Sequence, residues 1–300
     1  MTPSHLHSSR YVWVHPQRGR LGNIMFQYAG MMSVADVSGR QPIVACDTTL
    51  TLNFPTIAKY CWANMTTAFR TARRVNIYEQ QWGTFDASIY AKAHKFHAKH
   101  AQLCCYFQSW KYTDNISTKL KQHFRFRAYV RMFAKQHLNF IIRKYTSRRN
   151  VTLIGVHVRR SDMTSRQHNN VGYTAAPLTY YLNAMTHYRN RFSNCVFLVA
   201  SDDVRWCRKH ITGDDVIMIQ DYRAQLTPPP PPNITPEARD MSILRLVEHS
   251  IISTGTFSWW IGWFTPGQVV YYKNYPANGS ALQHGFTAAD YYPQHWTGML

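Results

Sequence analysis

The sequence predicts an α/β protein built on parallel sheets, and three observations predict it. The chain opens as strand, loop, helix and strand. From residue 150 short apolar runs alternate with amphipathic helical segments, and three of those runs end in polar residues, where sheets of this kind bind ligands. A chain of 300 residues with 45% hydrophobic and 14% aromatic content can fill the cores of two modest domains sharing a cleft, or of one large domain.

The element order follows from local signals. "YVWVH" reads as a strand, "PQRGRLGN" as a loop and "IMFQYAGMMSVADVSG" as a helix, with Met25, Ala29, Met32 and Ala35 at helical spacing and Gly39 placed to end it. "QPIVACD" is the next strand. Residues 50–150 show few clean periods. There "HKFHAKH" sets His94, His97 and His100 three apart, which reads as a solvated basic helix face, because no carboxylate or cysteine stands beside them to complete a metal site. Beyond residue 150, "VTLIGVHV", "CVFLVASDD", "DVIMIQ" and "SIIST" read as strands. "LTYYLNAMTHYRNRF" carries Tyr181, Met185 and Tyr188 on one helical stripe. "PEARDMSILRLVEHS" is a helix with Thr235 as N-cap and Pro236 at its first position. Pro228–Pro232 form a stiff surface connection that no sheet can accept.

Composition narrows the function. Lys and Arg number 34 against 15 Asp and Glu, a formal charge of +19, which suits an anionic ligand, a polyanion or a solvated basic surface. The charge is diffuse, as in residues 70–74 and 143–149, and this favours the surface. The 6 cysteines include no C-x-x-C pair, which excludes zinc ribbons and thioredoxin-type redox sites while leaving up to three disulfides open. Asn64, Asn115, Asn150, Asn233 and Asn278 each open an N-glycosylation sequon and favour a secretory lumen. No segment resembles a signal peptide or membrane span, "IISTGTFSWWIGWF" being too short and too hydroxylated; the protein is expected to be soluble or to lack its natural N-terminal anchor.

The chemistry gathers at three strand ends. "GVHV" runs into Arg159, Arg160 and Asp162; "FLVA" into Ser201, Asp202 and Asp203; "IIS" into Thr254, Gly255 and Thr256. All three should face one crevice. Arginine's planar fork suits a diphosphate, and Asp202 or Asp203 can accept from a ribose hydroxyl or from guanine N–H groups. "STGTFSWW" offers backbone N–H groups at a strand-to-helix turn, an anion cradle. A nucleoside diphosphate fits all three. Each motif also has a purely structural reading: Asp162 as a surface salt-bridge partner of an arginine, and Ser-Asp-Asp as a helix N-cap. No Asp-x-Asp pair for a nucleotide-bound metal, dinucleotide fingerprint or Walker loop occurs.

"GRLGNIMFQYA", "IGVHVRRSDM", "FLVASDDVRWC" and "DMSILRLVEHSIISTGTFSWWIGWF", in that order with "HWTG" near the end, resemble the galactoside α-1,2-fucosyltransferase family, glycosyltransferase family 11. The resemblance implies a GT-B-like α/β fold of two Rossmann-like domains facing a cleft. Residues 11–149 would form the acceptor-side domain and 150–300 the GDP-fucose-binding domain, after a disordered remnant at 1–10. It further implies inverting transfer of L-fucose from GDP-β-L-fucose to the 2-hydroxyl of a terminal galactose, without a metal or other cofactor. The implied partners are GDP-fucose and a galactose-terminated glycan of a glycoprotein or glycolipid, with no nucleic acid. The implied location is the Golgi lumen, as a type II membrane protein whose anchor is not visible in this chain.

By the same likeness Arg159 would bind the β-phosphate, His157 and one of Asp202 and Asp203 the guanosine, and Thr256, Phe257 and Ser258 the diphosphate. Ser201, Thr254 and Gly255 complete the donor site, and Gly22 and Asn23 match the family's Gly-Asn turn, which faces the donor. Arg159, Arg160 and Asp162 are the candidate catalytic residues, Asp162 either as general base or as a partner orienting an arginine. The chain departs from the family in Ser161, where glycine is usual, and in the proline of "WFTPGQ". Two further readings compete: a non-catalytic galactoside-binding relative, and a basic nucleic-acid-binding protein.

Overall fold

The computed structural model describes residues 10–15, 18–46, 48–63, 65, 73–96, 100–145, 151–221 and 234–300. Asn64, Asn150, Asn233, His97 and the proline run lie outside them. The chain forms two compact units, residues 1–126 with 285–293, and 127–284 with 294–300.

The first unit contains β1 (Tyr11–Val14), α1 (Leu21–Ser38), β2 (Gln41–Pro42), β3 (Val44–Ala45), α2 (Thr49–Asn53), β4 (Cys61–Trp62), β5 (Arg74–Tyr78), α3 (Ser88–Lys95), β6 (His100–Cys104) and α4 (Ser117–His123). Its sheet runs β2-β1-β6-β5, all parallel. Every residue of β1 is buried, and α1 is buried along most of its length, because it packs against both β1 and α3. Gly39 ends α1 in the left-handed region at φ 65°, as its position in the sequence predicts. The strand expected over "QPIVACD" divides at Ile43 into β2 and β3; β3 turns away to pair with β4, and the Cys46–Cys61 disulfide ties the two. Cys104, Cys105, Cys195 and Cys207 are free thiols.

The three-histidine helix face is not formed. The helix α3 ends at Lys95, and His100 stands in β6, where its Nδ1 accepts the Tyr11 N–H at 3.2 Å. A backbone partner in the neighbouring strand makes it part of the sheet and not of a solvated surface.

The second unit opens with α5 (Ala128–Tyr145), which packs on a later helix of the same unit; the division of the chain therefore falls after Phe126, not at 149/150. There follow β7 (Thr152–Val158), α6 (Arg166–Val171), α7 (Leu178–Arg191), β8 (Cys195–Ser201), α8 (Val204–His210), β9 (Val216–Met218), α9 (Pro236–Leu244), β10 (His249–Ile252), α10 (Thr256–Phe264), β11 (Val269–Tyr272) and β12 (Thr297–Met299). A short helix, α11 (Ala288–Tyr291), belongs to the first unit, where Asp290 Oδ2 accepts the Phe85 N–H at 2.9 Å and Ser109 donates to the Asp290 carbonyl at 2.6 Å.

The second sheet runs β12-β11-β10-β7-β8-β9, all parallel, the doubly wound Rossmann order counted from β7. The helix α7 buries Tyr181, Met185 and Tyr188 as its stripe predicts, and the Tyr180 and Tyr188 hydroxyls donate to the carbonyls of Ile252 in β10 and of Gln268 just before β11 at 2.7 and 2.9 Å. Thr235 Oγ1 caps α9 through the Ala238 N–H at 3.2 Å, again as expected. The helix stops at Leu244 and not near 250, because His249–Ile252 are drawn into the sheet between β7 and β11. Sheet pairing overrides a helical period there. Among the described residues no helix is long and apolar enough to cross a membrane, and the sequon residues Asn115 and Asn278 are exposed.

Candidate functional site

The strand order of the second sheet reverses between β7 and β10, and the register sets His157 beside Ile252 on one side and Ala200 on the other. The carboxyl ends of β10, β7 and β8 therefore lie side by side. Open parallel sheets take ligands at such a reversal.

Side chains connect the three ends. The Arg159 backbone N–H donates to Ser253 Oγ at 2.9 Å, Ser253 Oγ lies 3.0 Å from Ser258 Oγ, and Ser258 Oγ lies 2.6 Å from His157 Nδ1. From β8, Asp202 accepts the Arg160 N–H at 2.8 Å and pairs through Oδ2 with Arg159 Nη1 at 2.7 Å. Asp162 takes Arg159 Nη2 at 2.6 Å. One guanidinium is thus clamped between two carboxylates with its side chain only 14% exposed, which fixes its plane. These two contacts occupy two of the five donors a guanidinium carries.

Asp203 has a different task. It caps α8 by accepting the Trp206 N–H at 3.1 Å, stands 3.4 Å from Arg160 Nε, and takes its own backbone hydrogen bond to Ser201 Oγ at 2.8 Å. The N-cap reading of Ser-Asp-Asp holds for Asp203. Arg160 is further held with its guanidinium 3.9 Å from the Trp206 ring centroid, a stacking partner the sequence did not nominate. Ser253 was also missed; its place at the end of "IIS", two residues before a glycine, was the available signal.

Beyond β10, Thr254 donates to the Thr174 carbonyl at 3.0 Å, and Gly255 stands at φ 90°, ψ 160° as the N-cap of α10. Gly255 has no side chain to cap the helix, and the positive end of the α10 dipole lies directly after the carboxyl end of β10. Phe257 sets its ring 4.9 Å from that of His157. Gly22 and Asn23 lie in the first unit and inside α1, whose first turn begins at Leu21, so they form helix where a turn was expected; Asn23 Oδ1 accepts the Gln108 amide at 3.2 Å.

Burial pushes the His157 imidazole down to about 4, against the opposing charge of Asp202. The folded protein therefore holds it neutral where an unfolded chain, near 6.5, would protonate it. A depressed value contributes stability that is complete above the unfolded value and is lost as pH falls from about 6.5 toward 4. Thermal melts between pH 7 and 4 should show this loss, and His157→Gln should flatten the slope; an unchanged slope would show that His157 is accessible to protons in the folded state.

The sequence pattern of Glycosyl transferase family 11 matches residues 1–300. The chain belongs to glycosyltransferase family 11. Similar curated members include the Sus scrofa galactoside α-(1,2)-fucosyltransferase 1, 28% identical across 99% of this chain and 77% of that protein. The Bos taurus galactoside α-(1,2)-fucosyltransferase 2 is 26% identical across 96% of this chain and 79% of that protein. Among solved structures, the fucosyltransferase NodZ from Bradyrhizobium shares the fold of this family 11 enzyme at a TM-score of 0.53 and 14% identity, covering 89% of this chain and 97% of that one. NodZ α-1,6-fucosyltransferase co-crystallised with GDP aligns at 0.50 and 13%, covering 89% and 96%. The GT-B-like α/β expectation is borne out for this family 11 enzyme in its two parallel-sheet units and in that structural likeness.

Proposed function

We propose that this family 11 glycosyltransferase moves L-fucose from GDP-β-L-fucose to the 2-hydroxyl of a galactose ending a glycan, inverting the anomeric carbon without a metal. The observation that carries the reading is the Arg159 guanidinium, held by Asp162 and Asp202 at the reversal of strand order. The names of the similar family members supply the sugar and the linkage.

Departure of GDP builds negative charge on the diphosphate, and the groups suited to meet it are already fixed. Arg159 contributes its fixed guanidinium and α10 the positive end of its dipole, so neither reorganises as the bond breaks. Neutral His157, braced by Ser258 and Phe257, is suited to hydrogen-bond the nucleoside without adding charge. Asp162 and Asp202 both face a guanidinium, so arginine takes the place of a metal, and Asp162 acts as the partner that orients Arg159. A secretory, Golgi-type setting is supported by the Cys46–Cys61 disulfide and by the exposed sequons at Asn115 and Asn278.

The test is GDP release from GDP-fucose in excess EDTA, with and without a terminal β-galactoside. Acceptor-dependent release that survives EDTA is expected. Release abolished by EDTA would overturn the metal-free step; GDP binding without release would indicate a non-catalytic relative. Salt-sensitive oligonucleotide binding that GDP does not compete would favour the nucleic-acid reading.

A further inference from the structure

Three hydroxyl groups of the second unit meet around the end of β10: Ser253, which follows the strand, Ser258 in α10 and Tyr181 in α7. Ser253 is 3% exposed and the other two are fully buried, so bulk water does not serve them. A hydroxyl gives one hydrogen and also accepts, while a neutral imidazole gives from one nitrogen and accepts at the other. Contacts among such groups therefore have a direction. The Arg159 backbone N–H can only donate, and it donates to Ser253 Oγ at 2.9 Å. Ser253 Oγ lies 3.0 Å from Ser258 Oγ, which lies 2.6 Å from His157 Nδ1. Among the described residues, the side chains of Ser253, Ser258 and His157 make no hydrogen bonds besides these.

Two orders of donation can be drawn along this chain. If Nδ1 carries the imidazole proton, His157 donates to Ser258, Ser258 donates to Ser253, and the Ser253 hydrogen is left over. The Tyr181 hydroxyl is the further group that faces Ser253: burial pushes its pKa up, Ser253 pulls it back, and its oxygen makes no hydrogen bond to a described residue. Passing the Ser253 hydrogen to that oxygen only moves the deficit, because the Tyr181 hydrogen then lacks an acceptor. In the reverse order Ser253 accepts the Arg159 N–H, turns its second lone pair to the Tyr181 O–H and donates to Ser258, which donates to Nδ1. Every hydrogen then has an acceptor. A buried donor left without one costs more than a typical hydrogen bond gains, so the reverse order prevails.

The consequence falls on the far side of the ring. An imidazole that burial keeps neutral, and that accepts at Nδ1, carries its proton on Nε2. The Ser258 contact and the Phe257 ring, 4.9 Å away, hold the imidazole in one orientation. Asp202 is the charged group acting on it, but its two oxygens are engaged by the Arg160 N–H and by Arg159 Nη1. The Nε2–H is thus a donor without a partner among the described residues.

We propose that Ser253 and Ser258 fix His157 as its Nε2–H tautomer, and that this N–H recognises a hydrogen-bond acceptor, a ring nitrogen or carbonyl oxygen, on the base of the donor nucleotide. The inference rests on the nucleotide-sugar reading above and deepens it. Ser253 and Ser258 are positioning residues, acting through His157 without touching the donor themselves. The site then selects by the polarity of the base edge: a base that turns an amino group toward Nε2 sets donor against donor and is disfavoured.

The experiment is a two-bond nitrogen–proton correlation spectrum of the whole protein, isotope-labelled in its histidine ring nitrogens, with the His157 signals assigned by their loss in His157→Gln. Without ligand, the pattern of a neutral ring protonated at Nε2 is expected; protonation at Nδ1 would overturn the chain. Saturating GDP should shift the Nε2 resonance and leave it protonated, and an unmoved Nε2 would overturn the recognition role. Ser258→Ala should move the Nδ1 resonance to that of a nitrogen with no hydrogen bond and weaken calorimetric GDP binding about three- to tenfold. Ser258→Thr, which keeps the hydroxyl, should restore both. Wild-type values for both in Ser258→Ala would remove Ser258 from the role, and if that variant does not fold, the wild-type spectra decide alone. Nε2 protonation in a wild type that binds no GDP would leave the chain standing and sink the nucleotide reading.

Discussion

Arg159→Lys is expected to slow fucosyl transfer by about 10²–10³-fold and to weaken GDP binding in step, with little change in melting temperature. The wild-type guanidinium spans Asp162 and Asp202 through Nη2 and Nη1, which uses two of its five N–H donors. A lysine ammonium can sit between the two carboxylates and preserve their charge balance, so stability should survive. It cannot also meet a phosphate in the fixed plane that the guanidinium offers. Arg159→Ala is less informative, because it leaves two carboxylates facing each other and costs stability for that reason alone. Calorimetric GDP binding alongside thermal melts decides it. Retained GDP affinity with a lowered melting temperature would make the Asp162–Arg159–Asp202 cluster a structural brace.

Gly255→Ala should damage both stability and donor binding. Space is not the obstacle, since a Cβ would approach only Met163 Cε, at 3.6 Å. The backbone is: φ 90° with ψ 160° is a region that glycine alone adopts without strain of about 1–3 kcal/mol. Relaxing that strain turns the peptide at the head of α10 and misaims its first amides. The expected outcome is a melting temperature lower by several degrees and GDP affinity reduced more than tenfold. Gly39→Ala is the control. Gly39 also has positive φ, 65°, with open space around it, but it ends α1 in the first unit. It should lose stability and leave GDP affinity intact; equal GDP loss in both variants would refute a local role for Gly255.

The parts legible in sequence were those where one strong local signal met no competing tertiary demand. The α7 stripe, the Thr235 cap and Gly39 are of this kind, and so is the convergence of Arg159, Asp202 and Gly255, which follows from parallel strands ending in register. The C-terminus of α9 was not legible, because the residues after Leu244 keep a helical period while the sheet claims His249–Ile252. The hold of the Glu79 carboxylate on the Tyr106 and Phe107 N–H groups was invisible for another reason. Glu79 follows a strand whose burial alternates poorly, and what distinguishes it is the pair of amides from a turn near residue 106. Sequence spacing carries no trace of a contact between partners that far apart. The same holds for Trp206 over Arg160.

The return of residues 285–293 to the first unit has a consequence for the order of synthesis. On the ribosome, domains generally fold as they emerge, the N-terminal one first. Here Asp290, which holds the Phe85 amide and pairs with Lys111 at 2.5 Å, is translated after every strand of the second sheet except β12. The half of the protein made first therefore waits longest for its closing piece. A nascent chain stalled before residue 285 would carry two incomplete units, with the first still open and exposed to chaperones or proteases.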